Sequence, residues 1–247
     1  MSFVKAMIPP TARAWLRRQR HAGEKKLLLL DRVTDWSVLR SVRPYREEFG
    51  RRRGQCIDRF YIEKFLALHQ ELIRGRVAEI GSSEYTVQFG GSKVERADVV
   101  DVNEQNDRRT LTLDLAKPDE VPEGLFDCII ATQVLLLIQD YEAAIQSLRK
   151  MLKEGGVALV TLPGISPIVA GNLVAGAGHD WWRFTSRSAS FAFGAVFGQQ
   201  RVQVETFGNV LTATAFLHGL VSEELTQNEL EHHDPNFEVL IGIMAAK

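Results

Sequence analysis

Residues 76–102, RVAEIGSSEYTVQFGGSKVERADVVDV, constrain this chain more than any other stretch. Two apolar runs, 77–80 and 97–102, read as buried strands joined through a glycine-led turn; one carries Glu79 and the other Asp101. Gly81 and Asp101 are 20 residues apart. That is where α/β nucleotide binders place a carboxylate that accepts both ribose hydroxyls. The turn itself, Glu79-Ile80-Gly81-Ser82-Ser83-Glu84, has one glycine where a dinucleotide pyrophosphate needs three for close backbone approach. The expected cofactor therefore carries adenosine without a diphosphate.

This pattern resembles motif I and the following acid of class I S-adenosylmethionine-dependent methyltransferases. Their usual run is acid-x-Gly-x-Gly, and here Ser83 stands at the second glycine. The resemblance implies S-adenosyl-L-methionine as cofactor. It also implies an α/β, Rossmann-like class I methyltransferase fold: a mostly parallel seven-stranded sheet, helices on both faces and a final antiparallel strand. Glu79, Gly81, Ser82 and Ser83 would form the cofactor turn, with Asp101 and Val102 at the ribose. Asp114 resembles the acid that takes the adenine amino group after the third strand, beside Leu115. The phrase Met151-Leu152-Lys153-Glu154-Gly155-Gly156-Val157 resembles the late helix-to-strand turn of the same superfamily.

Two further segments resemble methyltransferases found among bacterial glycan-assembly proteins. One is Arg53-Gly54-Gln55-Cys56-Ile57-Asp58-Arg59-Phe60-Tyr61-Ile62-Glu63, which implies that Arg59 or Tyr61 faces the methionine end of the cofactor or the acceptor. A guanidinium suits a carboxylate there through a bidentate pair. The other is His179-Asp180-Trp181-Trp182-Arg183-Phe184-Thr185. Trp181 or Trp182 would stack on a sugar face, with Asp180 holding hydroxyls and Arg183 beside them; equally, Asp180 pairs with Arg183 and both tryptophans pack a lid.

The rest follows the chain. Residues 57–72 have helical apolar spacing, and Gly75 stops the helix. Residues 110–115 read as a third strand. Residues 126–131 form a fourth, apolar as a parallel sheet covered on both faces requires. Thr132 and Gln133 follow at its carboxyl end, where open α/β sheets bind ligands. Residues 141–152 read as a helix stopped by Gly155 and Gly156, then come strands at 157–162 and 201–207, an inserted helix at 209–225 and a last strand at 237–244. In this superfamily the connection between the last two strands lies at the carboxyl edge. His233 with Asp234 is the first choice of base for a hydroxyl acceptor and His179 with Asp180 the second. No metal site is expected, because adjacent histidines rarely converge on one ion.

At 247 residues the chain fits a basic arm and lead-in helices over 1–56 and a methyltransferase domain over 57–247, with lid insertions around 164–198 and 209–236. Residues 1–60 hold fifteen Lys and Arg against six Asp and Glu, so a basic arm sits on an acidic body. Such an arm suits a phosphate-bearing partner, an anionic membrane surface or glycan-assembly proteins, or docks on its own domain. Residues 11–20 read as a short basic amphipathic helix carrying Trp15 and Leu16. No binding module accompanies the arm, so no nucleic-acid partner is expected. Two cysteines and no apolar run of membrane-spanning length point to a reducing cytoplasm. The activity expected is methylation of a sugar hydroxyl in a glycan, glycolipid or nucleotide sugar. The alternatives are O- or N-methylation of a small natural product, or a non-catalytic docking role.

Overall fold

The computed structural model describes residues 41–46, 54–168 and 180–247. Strands β1 (Gly75–Ile80), β2 (Val94–Asp101), β3 (Leu111–Thr112), β4 (Phe126–Thr132), β5 (Leu152–Pro163), β6 (Val202–Phe207) and β7 (Leu240–Ala246) form one sheet in the order β3-β2-β1-β4-β5-β7-β6. The first five run parallel, and β7 pairs antiparallel with both β5 and β6. The expected mixed seven-stranded fold is therefore present. Strand order reverses between β1 and β4, and the crevice outside such a reversal is where α/β sheets take ligands.

Side chains on alternate strand positions feed two cores. One face packs Ala78, Ile129, Ala131, Ala158 and Val160 under helices α2 (Tyr141–Met151) and α3 (Ser186–Phe197). The other packs Val77, Cys128, Ile130 and Leu159 under α1 (Ile57–Leu68) and α4 (Val210–Leu217). Helix α2 forms because Asp140 caps the Ala143 amide and Ala144, Ile145, Leu148 and Met151 recur on one buried stripe. A capping box between Thr185 and Ser188 starts α3, and Asn209 starts α4 the same way. A fifth helix, α5 (Gln227–Glu231), lies in the β6–β7 connection. Cys128 is fully buried and its thiol is pushed up to about 12 by burial, so it is inert packing.

Several boundaries differ from the sequence reading. Helix α1 ends at Leu68 and a separate turn, Gln70–Leu72, precedes β1; Gly75 opens that strand instead of only stopping the helix. The third strand shrinks to two residues because a turn at Asp114, whose carboxylate takes the Ala116 amide and whose carbonyl takes the Lys117 amide, follows at once. Gly155 and Gly156 lie inside β5, where the pairing with β4 shifts register, so the helix ends at Met151 without a glycine stop. The inserted helix covers only Val210–Leu217, and the last strand starts at Leu240.

Pro44–Lys247 is one compact unit; of Met1–Arg43 the described residues are 41–43, where Ser41 Oγ donates to the Arg43 carbonyl at 2.6 Å. The basic amphipathic helix expected at 11–20 lies outside the described residues. Among the described residues no helix is long and apolar enough to cross a membrane.

Candidate active site

The turn after β1 is built on a buried carboxylate. Glu79, 2 % exposed, accepts from the Ser82 hydroxyl at 2.6 Å and the Tyr85 amide at 3.3 Å through one oxygen. Its other oxygen takes the Thr86 amide at 2.7 Å and the Thr86 hydroxyl at 2.8 Å. Four donors fill both oxygens, so Glu79 orders the turn and the short helical stretch behind it. This corrects the expectation that Glu79 contacts the cofactor, and Ser82 spends its hydroxyl on Glu79. Gly81 sits at φ 83°, a left-handed conformation that a side chain disfavours, and a Cβ there would meet no atom within 4 Å. The turn is open on the side a ligand would approach, and the half-buried Ser83 follows it.

Asp101 ends β2 beside that turn, since Gly81 donates its amide to the Val100 carbonyl at 2.9 Å. The Asp101 carboxylate accepts from the Asn103 amide at 2.9 Å and from Asn106 Nδ2 at 2.7 Å. Asn106 Nδ2 also donates to the Gly81 carbonyl at 2.9 Å. Each carboxylate oxygen keeps a lone pair for a further donor. Val102, the next residue, is 64 % exposed. Asp114 takes the Ala116 amide on one oxygen at 2.9 Å, and its other oxygen has no hydrogen bond among the described residues. The Leu115 side chain is buried in the core and its carbonyl accepts from Ser147, so only its amide could face a ligand.

Across the reversal, Thr132 ends β4 paired with Thr161 of β5. Gln133 follows with φ 55°, the one non-glycine residue with positive φ among those described, and its amide donates to the Thr161 carbonyl at 3.0 Å. Left-handed backbone in a residue that is not glycine costs energy and gathers at ligand sites. On the other side Arg59, on α1, donates to the Tyr85 hydroxyl at 2.7 Å and lies over its ring. Partial desolvation works against the Arg59 charge, but the neighbouring Tyr85 and Asp58 outweigh it and raise the pKa further. Tyr85 directly follows the glycine turn, so it holds this guanidinium close by. Tyr61 is corrected: it is 1 % exposed, donates to the Leu230 carbonyl at 2.9 Å and stacks on Phe207. Burial raises its pKa, as expected of a core tyrosine.

The expected catalytic pairs do not assemble. His233 Nε2 bonds the Thr206 hydroxyl at 2.8 Å on β6, while Asp234 accepts from Asn236 and makes no bond to His233. Strand β6 lies four positions from β1, about 19 Å at the usual strand spacing. His233 is therefore on the carboxyl edge but far from the glycine turn. His179 lies outside the described residues, and the 2 % exposed Asp180 side chain forms a bidentate pair with Arg183. Arg183 also donates to the Trp182 and Pro167 carbonyls, which commits it to holding this segment together. Trp182 donates its indole N–H to the Ile138 carbonyl at 3.0 Å and meets Tyr141 edge to face. Trp181 is 45 % exposed. The packed alternative for this segment thus describes Asp180 and Arg183. A depression of about 560 Å³ is lined by Ala116, Gln139, Asp140, Tyr141, Glu142 and Trp182.

Asn106 and Tyr85 had no signal in the sequence: one stands in a polar loop, the other just past the glycine turn.

An S-adenosyl group fits this edge. The open glycine admits a close approach, the Asp101 carboxylate suits a ribose diol, and the free Asp114 oxygen suits an amino group. A family model described as a methyltransferase domain matches residues 58–197. No curated protein matches the chain in sequence. A SAM-dependent methyltransferase from Archaeoglobus fulgidus superposes with a TM-score of 0.51 at 12% identity, covering 76% of this chain and 94% of its own. The N-methyltransferase NodS from Bradyrhizobium japonicum, solved with S-adenosyl-L-homocysteine, gives 0.47 at 13% identity, covering 81% and 93%. Over more than half its length the chain matches this family and carries its fold, so it belongs to the methyltransferase domain family and is an S-adenosylmethionine-dependent methyltransferase.

Proposed function

We propose that the enzyme binds its methyl donor across the β1–β4 reversal and methylates a hydroxyl of a saccharide. The observation that carries the donor site is the meeting there of Gly81, Asp101 and the strained Gln133. Asp101 takes the ribose hydroxyls, Val102 covers one adenine face and Asp114 receives the adenine amino group. Arg59, held by Tyr85, pairs with the methionine carboxylate, and Ser83 and Thr132 flank the same path. The donor supplies an activated methyl; the protein aligns the acceptor with it and keeps water out.

The depression beside Trp182 supports the saccharide reading. Trp182 and Tyr141 offer apolar ring surface, and Gln139, Asp140 and Glu142 offer hydroxyl partners at its rim. The same acids, with no Lys or Arg among the lining residues, favour a second reading, N-methylation of a cationic amine. Docking of the basic 1–56 arm on an anionic surface or on glycan-assembly proteins is a separate proposal, resting on its charge alone.

The test is methyl incorporation from labelled S-adenosylmethionine into a panel of free sugars, nucleotide sugars and amines. A methylated sugar, lost in Trp182→Ala while S-adenosylhomocysteine binding changes by less than about twofold, supports the saccharide reading. Incorporation into amines alone overturns it.

A further inference from the structure

We infer that Asn106 is a positioning residue that shapes the ribose subsite through Asp101. The inference rests on the reading that Asp101 receives the ribose hydroxyls.

The Asn106 amide is used at both ends. Its Oδ1 accepts from the Arg108 amide at 3.1 Å, which fixes which way the amide faces. Its Nδ2 then meets two acceptors that belong to different parts of the site, Asp101 Oδ2 at 2.7 Å and the Gly81 carbonyl at 2.9 Å. One side chain thus sets the spacing between the turn after β1 and the acid at the end of β2, the two places a bound adenosine moiety would have to span. It also fixes the carboxylate plane: Asn103 holds Oδ1 and Asn106 holds Oδ2, leaving each oxygen one lone pair for a diol. Without Asn106 the Asp101 side chain would keep only the Asn103 amide bond.

Other ties across this loop do not replace Asn106. The Arg108–Glu84 ion pair spans the same gap at 3.0 Å, but both side chains are more than two-thirds exposed, where such pairs add little. The loop itself is anchored elsewhere. Thr110 donates its amide to the Val99 carbonyl at 2.8 Å and its hydroxyl to Asp98 at 3.0 Å, so losing Asn106 should leave the loop's path intact.

The test is a binding cycle on the full chain, using S-adenosylhomocysteine and its analogue lacking the ribose 2′-hydroxyl. Asn106→Ala should weaken S-adenosylhomocysteine about tenfold, the worth of a hydrogen bond to a charged group. It should weaken the analogue clearly less, because the pair couples through Asp101. Asn106→Asp keeps the shape and removes both donors, and should weaken S-adenosylhomocysteine at least as much. An unchanged affinity in Asn106→Ala, an equal loss for both ligands, or full affinity in Asn106→Asp would overturn the inference. Asp101→Ala separates the two levels: if it binds as tightly as wild type, the ribose assignment of Asp101 fails, and the role of Asn106 fails with it.

Discussion

At the β1–β2–β4 end of the carboxyl edge, polar groups far apart in the chain meet. Asn106 reaches Gly81 across 25 residues, Arg59 reaches Tyr85 across 26, and the Gln133 amide reaches the Thr161 carbonyl. At the β6–β7 end and in the segment before α3, the two acids expected beside a base bond their near neighbours instead: Asp234 holds Asn236, two residues on, and Asp180 holds Arg183, three residues on. The first arrangement leaves carboxylate lone pairs open at Asp101 and Asp114, although their own partners, Asn103, Asn106 and Ala116, are also near in the chain. The second satisfies loops locally and leaves little over for chemistry. Unused carboxylate valence, more than the presence of His and Asp residues, is where we expect the working end of the edge.

The sharpest break of this comparison is Glu79→Ala. It would leave three buried donors and the half-buried Ser82 hydroxyl without their acceptor, and we expect a loss of at least about 3 kcal/mol of stability, read from denaturant midpoints. A loss below about 1 kcal/mol would mean that the turn holds without its carboxylate.

Gln133→Gly comes next. Relief of the left-handed backbone should raise stability by about 1 kcal/mol while turnover falls, because the side chain at the reversal is gone. Gln133→Ala keeps the strained backbone and loses the same side chain, so it should lose turnover without gaining stability. A Gly variant with wild-type turnover would remove Gln133 from the site.

Asp98 tests the middle of β2, three residues before Asp101. Burial would raise its pKa, but donors from Arg76, Thr110 and Arg96 outweigh burial and lower it below 3.8. A lowered folded-state value means that the stability Asp98 contributes is fully present above the unfolded value near 3.8 and is lost as pH falls below it. Asp98→Asn should therefore be the less stable protein at pH 7, and the gap should narrow toward pH 3. A constant gap would contradict the assignment.

The smallest effect is expected at His233. Its ring bonds Thr206 on the edge strand β6, so His233→Ala should leave turnover within about twofold of wild type, at about 19 Å from the glycine turn. A large fall would bring the far end of the edge back into the mechanism.

The donor half was legible because backbone rules wrote it. An apolar strand, a glycine that must turn left-handed at 81 and an acid 20 residues on leave few folds open. The sheet and its antiparallel last strand were implied by the resemblance to class I methyltransferases that these residues carry. Glu79 and Tyr61 were misassigned because a motif says which residue stands at a position and not which way its polar atoms face. Here both are turned inward by partners at 82–86 and at Leu230. His233 and Asp234 were adjacent in sequence, but the backbone sends one toward β6 and the other into its own turn. Asn106 was hidden because a loop of Asn, Glu, Gln, Asn and Asp offers no period from which to tell the bridging residue from its solvated neighbours.

The central claim is that the methyl donor binds where Gly81 and Asp101 meet. Calorimetric titration of S-adenosylhomocysteine into wild type and Asp101→Ala tests it directly. We expect saturable binding to wild type and a loss of about 100-fold in the variant, the worth of two hydrogen bonds to a carboxylate. Equal binding to both proteins would contradict the claim.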